Sequence, residues 1–538
     1  MGESRSKIWD SLSCDNNRHW DVIIVGGGIT GAGILREAAR QGLKALLVEQ
    51  KDFAWGTSSR SSKMVHGGLR YLAQGDFKLT RHSLQERERL LNQAPGLVDR
   101  MGYYMLLQKG QFPGRFAMSA VLKLYDFIAG VKDNRYCNKN TIKSIFPGIN
   151  DTGLTGGCYY TDAVTEDARL VLRVIQESKN SSAADQLAVL NYVKAKKLLK
   201  ENGRVVGVQL RDMESGKEVR VNGSVVINAT GAWADRLRNE VNTEKRVRPL
   251  RGSHLVVPHH RLPVSAVATV MHPQDGRPVF IFPWEGATVV GTTDLDHSAN
   301  MDMEASITYQ ELDYLLELVN AHFPSAAITV KDVLATYAGV RPVISSDKAA
   351  KSRSRKPSKE RRDHAVWSDD GLITVSGGKL TTFRLIAQDV LKAAEPLLGK
   401  KLTDFADDRV FSPVKTDPEK YFAIDAARAK RLLGRFGDKS HAVLSDAQVD
   451  EHGLIGDSTY CLAECRWSLR NELVVHLDDL LLRRTRLGLL LKEGGVQIFD
   501  QLKALFKDEL GWDGERWQSE LDRYRSIWKK HYSLPVKS

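Results

Sequence analysis

Apolar and polar positions follow three different rhythms along this chain. Residues 20–25, WDVIIV, form a short apolar run rich in β-branched residues, the pattern of a parallel strand buried on both faces. GGGITGAG follows at 26–33, then a helical pattern up to Gly42, then a second apolar strand, KALLVE, ending at Glu49. Between 203 and 227 the rhythm becomes that of a β-meander: GRVVGVQLRD, a turn at Glu214-Ser215-Gly216, KEVRV, and SVVINAT. The last of these strands enters Ala229-Thr230-Gly231, and GLITVS (371–376) likewise enters Gly377-Gly378-Lys379 before a helix. Beyond about residue 405 the pattern is helical and charged to the C-terminus. Strand-to-glycine junctions near 26, 230 and 377 predict one α/β nucleotide domain assembled from separated segments, with a second domain inserted between them. A helical C-terminal domain follows it.

The first junction carries chemistry. In Gly26-x-Gly28-x-x-Gly31, Gly26 permits a tight turn and Gly28 lets the backbone approach a pyrophosphate. Gly31 lets the helix pack on the strand, and Glu49, 23 residues after Gly26, can accept from a ribose hydroxyl. This fingerprint predicts a dinucleotide and does not separate NAD from FAD. Residues 56–72, GTSSRSSKMVHGGLRYL, point toward a large fixed cofactor, because Thr57, Ser58, Ser59, Ser61 and Ser62 supply hydroxyls and amides at high density. The turn at His66-Gly67-Gly68 permits close approach of the backbone.

The formal charge of +12, from 78 Lys or Arg against 66 Asp or Glu, raises nucleic acid, an anionic membrane or an anionic substrate as partners. Residues 348–363 hold eight Lys or Arg against Glu360 and Asp363, so that loop alone supplies 8 − 2 = +6. It contains no aromatic residue, which argues against a nucleic-acid groove and leaves an anionic surface as its better partner. Five cysteines without a CxxC pair predict reduced thiols and no metal site, and hence a cytoplasmic protein. No apolar targeting segment opens the chain, and no stretch approaches the roughly 20 residues that span a bilayer, so any membrane contact is expected to be peripheral. Residues 112–131, FPGRFAMSAVLKLYDFIAGV, are apolar nearly all round, which predicts a buried helix ahead of an interfacial one.

Six segments taken together resemble the FAD-dependent glycerol-3-phosphate dehydrogenases: GTSSRSSKMVHGGLRYL, RGSHLVV (251–257), VVGTTD (289–294), YAGVRPV (337–343), SGGKLTTFR (376–384) and LLRRTRLG (481–488). They occur in that family's order and sample most of the chain. The resemblance implies a discontinuous glutathione-reductase-type FAD-binding domain (18–90, 165–245 and 340–400). It also implies an inserted α+β substrate-cap domain (91–164 and 246–339) and an all-α C-terminal domain (405–538). It implies non-covalent FAD, glycerol 3-phosphate as substrate, and electrons passed to a membrane quinone at the inner face of the cytoplasmic membrane. A homodimer is a further expected assembly.

Oxidising a secondary alcohol needs a base for the hydroxyl proton, a hydride acceptor in place, and cations to hold the phosphate dianion. On the resemblance, Arg70, Tyr71, His254, Arg341 and Lys379 contact the substrate. His254 is the expected base because histidine titrates nearest neutrality, and Arg341 is expected to stabilise the developing alkoxide. Ala229, Thr230 and Gly231, with Gly377, Gly378, Lys379, Leu380 and Thr381, are expected to line the flavin, and His66 to lie beside it without moving a proton. Three alternatives stay open: a glycerol-3-phosphate oxidase using oxygen, an amine or amino-acid oxidase of the same superfamily, and a flavin-containing RNA-binding or RNA-modifying protein. The insertion of the oxidase relatives is not recognisable here, which favours the dehydrogenase.

Overall fold

A computed structural model describes residues 5–535 apart from 15–17, 73–74, 113, 184, 346–362, 404, 406–408, 415–421 and 423. The basic loop at 348–363 therefore lies outside the described residues, except for Asp363. In the first of two sheets, the strand His19–Val25 lies between Ala45–Val48 and Glu218–Asn228, parallel to both. Leu187–Leu190 extends one side and Leu372–Gly377 the other, again in parallel. The register sets Val25 opposite both Val48 and Asn228, and Asn228 opposite Thr374. Four segments far apart in sequence thus end at one carboxyl edge of the sheet, where Gly26, Glu49, Ala229 and Gly377 emerge side by side. Ligands bind at such edges in open parallel sheets.

The near-continuous apolar strands are explained by cover on both faces. Helices Ile29–Arg40, Asp167–Asn180 and Phe383–Leu398 pack with Val22, Ile24, Leu47, Val225 and Ile373. The meander and the helix Arg5–Cys14 pack with Trp20, Ile23, Leu46 and Val226. Glycine is required where these layers approach closely: a Cβ on Gly31 would lie 1.8 Å from the Gly26 carbonyl oxygen.

Among the described residues the second sheet has ten strands, including Val98–Gln108, Leu154–Thr165, Val247–Pro258, Ala287–Gly291 and Ala335–Ile344. Met64–Val65 joins it, so the segment that carries the serines bridges the two sheets. The C-terminal helices, including Leu462–Asn471, Phe499–Leu510 and Gly514–His531, share one apolar core with this sheet. Val256, Phe282, Trp284 and Tyr337 pack there with Leu477, Leu480, Leu487 and Phe506.

Charge ties the C-terminal helices to the first sheet. A π-helical turn, Leu480–Arg484, directs Arg483 and Arg484 onto Asp52, at 2.6 and 2.5 Å, and Arg486, just beyond it, reaches Glu166 and Asp167, both at 2.5 Å. All of these side chains are buried. The two guanidinium groups hold the Asp52 carboxylate below its usual range, against the opposing effect of burial.

The helix Arg115–Ala129 departs from the sequence expectation of burial. Met118, Leu122 and Tyr125 make a narrow buried stripe, whereas Phe112, Phe116 and Phe127 are 87, 86 and 82% exposed. Positions 118, 122 and 125 recur at helical spacing, so one face meets the protein, and Phe116 and Phe127 fall on the other, with Phe112 just before the helix. Among the described residues no helix is long and apolar enough to cross a membrane.

Arg484→Leu leaves Asp52 with one guanidinium fewer in a buried site. We expect a loss of about 3 kcal/mol, the usual cost of removing one partner of a buried ion pair, visible as a thermal unfolding midpoint several degrees lower.

Candidate active site

A cavity of about 540 Å³ opens at the carboxyl edge of the first sheet and extends beneath the second. Its wall contains Gly26, Gly28 and Glu49, then Thr57, Ser58, Ser61, Ser62, His66 and Tyr71. Ala229, Thr230 and Gly231 face it, as do Gly377, Gly378, Lys379, Leu380 and Thr381, and the second sheet adds His254 and Arg341. Residues named from seven separate stretches of sequence are thus brought to one space.

Local structure explains how each is held. Gly26 has φ +118°, and a Cβ there would lie 2.5 Å from the Ala229 carbonyl oxygen, so both glycine junctions can meet only without a side chain. Ser58 Oγ accepts from Ile29 N at 2.9 Å and so caps the helix Ile29–Arg40 from a distant loop. Glu49 accepts from Gly27 N at 2.8 Å and Lys51 N at 2.9 Å, which fixes its carboxyl at the wall, while burial pushes its pKa up. Thr57 Oγ1 donates to Val340 O at 2.5 Å, holding the serine segment against the strand Ala335–Ile344.

Four residues named with these do not line the cavity. Gly31 sits against Gly26 and serves the packing of helix on strand. The Ser59 carbonyl accepts from Lys63 Nζ and Arg486 Nη2, both at 2.8 Å, so Ser59 braces the wall from behind. Gly67 donates to Asp162 Oδ1 at 2.9 Å, and a Cβ there would lie 2.2 Å from Tyr125 Oη. Gly68, at φ +88°, turns the chain into the helix Leu69–Leu72. The backbone of Arg70 belongs to that helix, but its side chain lies outside the described residues.

The polar end of the cavity is built mainly on the second sheet. His254 is 2% exposed; its register partners are Gly291 and Tyr337. A Cβ on Gly291 would come within 2.3 Å of the imidazole, so glycine makes its room. The imidazole stacks on Tyr337, and Ser62 Oγ meets its Nε2 at 2.9 Å. Burial, then Lys63 and Arg341, hold the His254 pKa well below the usual histidine value, so the ring is neutral and able to accept a proton. Arg341 Nη2 donates to Asp294 Oδ1 at 2.9 Å and to Thr293 O at 3.2 Å. Lys379 Nζ donates to Ser83 Oγ at 3.0 Å and lies 3.5 Å from the centre of the Tyr71 ring. A neutral imidazole, an arginine and a lysine lining one cavity suit an anionic alcohol substrate.

Sequence reading missed Trp55, Trp233 and Phe280, which also line the cavity. Phe280 stands in the apolar run VFIF and looks like an ordinary core position. Trp55 precedes Gly56-Thr57, and its position directly before the serine segment was the available signal. The residues present fit FAD: backbone amides and a helix N-terminus for its pyrophosphate, Glu49 for its ribose, and apolar walls with small residues for its rings.

Comparison with known proteins agrees with this fit. The family described as FAD dependent oxidoreductase matches residues 21–384, and the C-terminal domain of alpha-glycerophosphate oxidase matches residues 387–517. The chain is 34% identical over 493 residues to an aerobic glycerol-3-phosphate dehydrogenase of Bacillus subtilis, covering 87% of each. It is 33% identical over 542 residues to glycerol-3-phosphate dehydrogenase 2 of Mycobacterium bovis, covering 97% of this chain and 89% of the relative. A solved glycerol-3-phosphate dehydrogenase of Bacillus halodurans complexed with FAD superposes with a TM-score of 0.77 at 25% identity, covering 99% of this chain and all of that one. With fold, cavity and relatives in agreement, this chain belongs to the FAD-dependent glycerol-3-phosphate dehydrogenase family of the FAD-dependent oxidoreductases.

Proposed function

We propose that this protein oxidises sn-glycerol 3-phosphate to dihydroxyacetone phosphate and passes the electrons to a membrane quinone. The observation that carries this reading is the convergence of His254, Arg341, Tyr71 and Lys379 on the same cavity as the glycine loops. FAD, when bound there, supplies the hydride acceptor. The chain's own residues do the rest. Arg341 and Lys379 hold the anionic substrate, and the fixed guanidinium favours the alcohol oxygen as it gains negative charge. The hydroxyl proton goes to His254 Nε2, with Ser62 Oγ on the path. Arg70 joins the phosphate contacts on the strength of the family pattern. Cations at a phosphate site distinguish this substrate from the neutral side chains of glycine or sarcosine.

The exposed face of the helix Arg115–Ala129 supports peripheral attachment to an anionic membrane. Phe116 and Phe127 stand on it, exposed Phe112 precedes the helix, and the exposed Lys109, Arg115, Lys123 and Lys132 lie on or near it, which matches an apolar acyl boundary beneath acidic headgroups.

Glycerol 3-phosphate added anaerobically is expected to bleach the yellow holoenzyme, with the rate flat through neutrality and falling only in acid, where His254 gains its proton. His254→Asn is expected to slow bleaching by about 10²-fold or more, and Arg341→Ala by about 10²-fold. Full-rate bleaching in both variants would remove the assignment, and bleaching by sarcosine instead would favour an amine oxidase.

Replacing Phe116 and Phe127 together by serine is expected to weaken binding to phosphatidylserine vesicles more than tenfold, since each phenylalanine contributes roughly 1.5–3 kcal/mol when buried. Bleaching by substrate should be unchanged, while reduction of vesicle-borne quinone should fall with binding. Vesicle co-sedimentation equal to wild type would place membrane contact elsewhere.

A further inference from the structure

Lys63 is a buried cation that the reaction as described does not use. Its side chain is 0% exposed and does not line the cavity, although its neighbours Ser62 and Met64 do. Lys63 Nζ donates to Ser59 O at 2.8 Å and to both oxygens of Asp167, at 2.8 and 2.9 Å. Asp167 does not need it as a sole partner. Ser61 Oγ donates to the same carboxylate at 2.8 Å, and Arg486 reaches it at 2.5 Å while also holding Glu166. Burying a further ammonium here costs free energy that the ion pair alone offsets poorly.

What Lys63 adds is a contact with the support of His254. The Tyr337 ring carries the His254 imidazole, stacked at 4.5 Å between centroids with 10° between planes. The same ring has Lys63 Nζ 4.7 Å from its centroid. A cation near an aromatic ring is attracted by the ring's quadrupole. An imidazolium stacked on a ring that already holds an ammonium gains less from that quadrupole and is repelled by the ammonium directly.

We infer that Lys63 is a positioning residue whose ammonium, through the Tyr337 ring it shares with His254, keeps the imidazole uncharged and ready to take the substrate's proton. This rests on the assignment of His254 as the base. The groups that face His254 are consistent with it. Burial, Lys63, Arg341 and Arg277 oppose a charged ring, and Asp167 favours one. Facing Lys63 itself, Asp167 and Glu166 favour the ammonium, whereas burial and Arg486 oppose it and bring its pKa down to about 8. Lys63 therefore remains largely cationic at neutral pH.

The test uses FAD-loaded enzyme labelled at histidine Cε1 with carbon-13, with the His254 resonance identified by its loss in His254→Asn. In Lys63→Met and Lys63→Gln the NMR midpoint of His254 is expected about one pH unit or more above that of wild type. The acid limb of anaerobic bleaching should move up by the same amount. Lys63→Arg should return both toward wild type, and Tyr337→Phe, which keeps the ring, should leave both in place. A His254 midpoint unchanged in both neutral variants overturns the inference. A shifted midpoint that the bleaching profile ignores upholds the effect of Lys63 on His254 and removes His254 as the base. Lys63→Gln retains a donor for Ser59 and Asp167, so it carries the test if Lys63→Met does not hold FAD. Failure of both to hold FAD would make Lys63 a structural tie and nothing more.

Discussion

The buried lattice of carboxylates and guanidinium groups behind the cavity is the constraint on which the site depends. Asp52 follows the second strand of the first sheet, and Glu166 and Asp167 open a helix that covers it. Arg483 and Arg484 come from one turn of the C-terminal helices and Arg486 from the bend just after it. None of these charges can afford a lone position, because a buried ion without its partner costs several kcal/mol. Each pair therefore fixes two elements at once. The lattice also holds the backbone of the cavity wall, since Ser59 accepts from both Lys63 and Arg486. The serine segment is pinned on its other side by Thr57 to Val340. A wall anchored at both ends keeps Ser62 within 2.9 Å of His254.

Two sheets then divide the chemistry. The first gathers glycine junctions at one edge by its parallel register and offers main-chain amides. The second offers His254 and Arg341 from within its strands, whereas Lys379 follows a strand of the first; the pairing of His254 with Gly291 and Tyr337 leaves room for the imidazole and gives it a surface. Small residues make this meeting feasible. A Cβ on Gly339 would lie 2.6 Å from the Arg60 carbonyl oxygen, so at that point glycine is what lets the second sheet rest on the serine segment.

Much of this was legible in the sequence, for identifiable reasons. Strand-to-glycine junctions are local patterns, and WDVIIV, SVVINAT and GLITVS each mark one without knowledge of the others. The α/β fold with a helical C-terminal domain followed from them and from the family resemblance. The lattice was not legible, because its partners are separated by more than 300 residues and nothing local distinguishes Asp52 from a surface aspartate. LLRRTRLG was visible as a motif but not as a tie. The helix Arg115–Ala129 misled because composition reports how apolar a helix is, not how many of its faces the protein covers. Phe116 and Phe127 are as hydrophobic as Met118 and Leu122, and only the tertiary arrangement separates them.

The basic excess takes on a different meaning once position is known. Arg87, Arg169, Arg238, Arg483, Arg484 and Arg486 are among the largest fully buried side chains, and each meets a carboxylate. These cations belong to the interior and attract no external partner. Arg341 and Lys379 differ in where they stand rather than in charge. Each lines the cavity, and each is oriented by a neighbour, Asp294 in one case and Ser83 with the Tyr71 ring in the other. On the proposed reading, orientation before binding spares part of the entropy that an incoming phosphate would otherwise cost, which is the advantage of fixed donors over mobile surface lysines. Net charge alone cannot reveal that distinction, because buried and cavity-lining cations are counted alike.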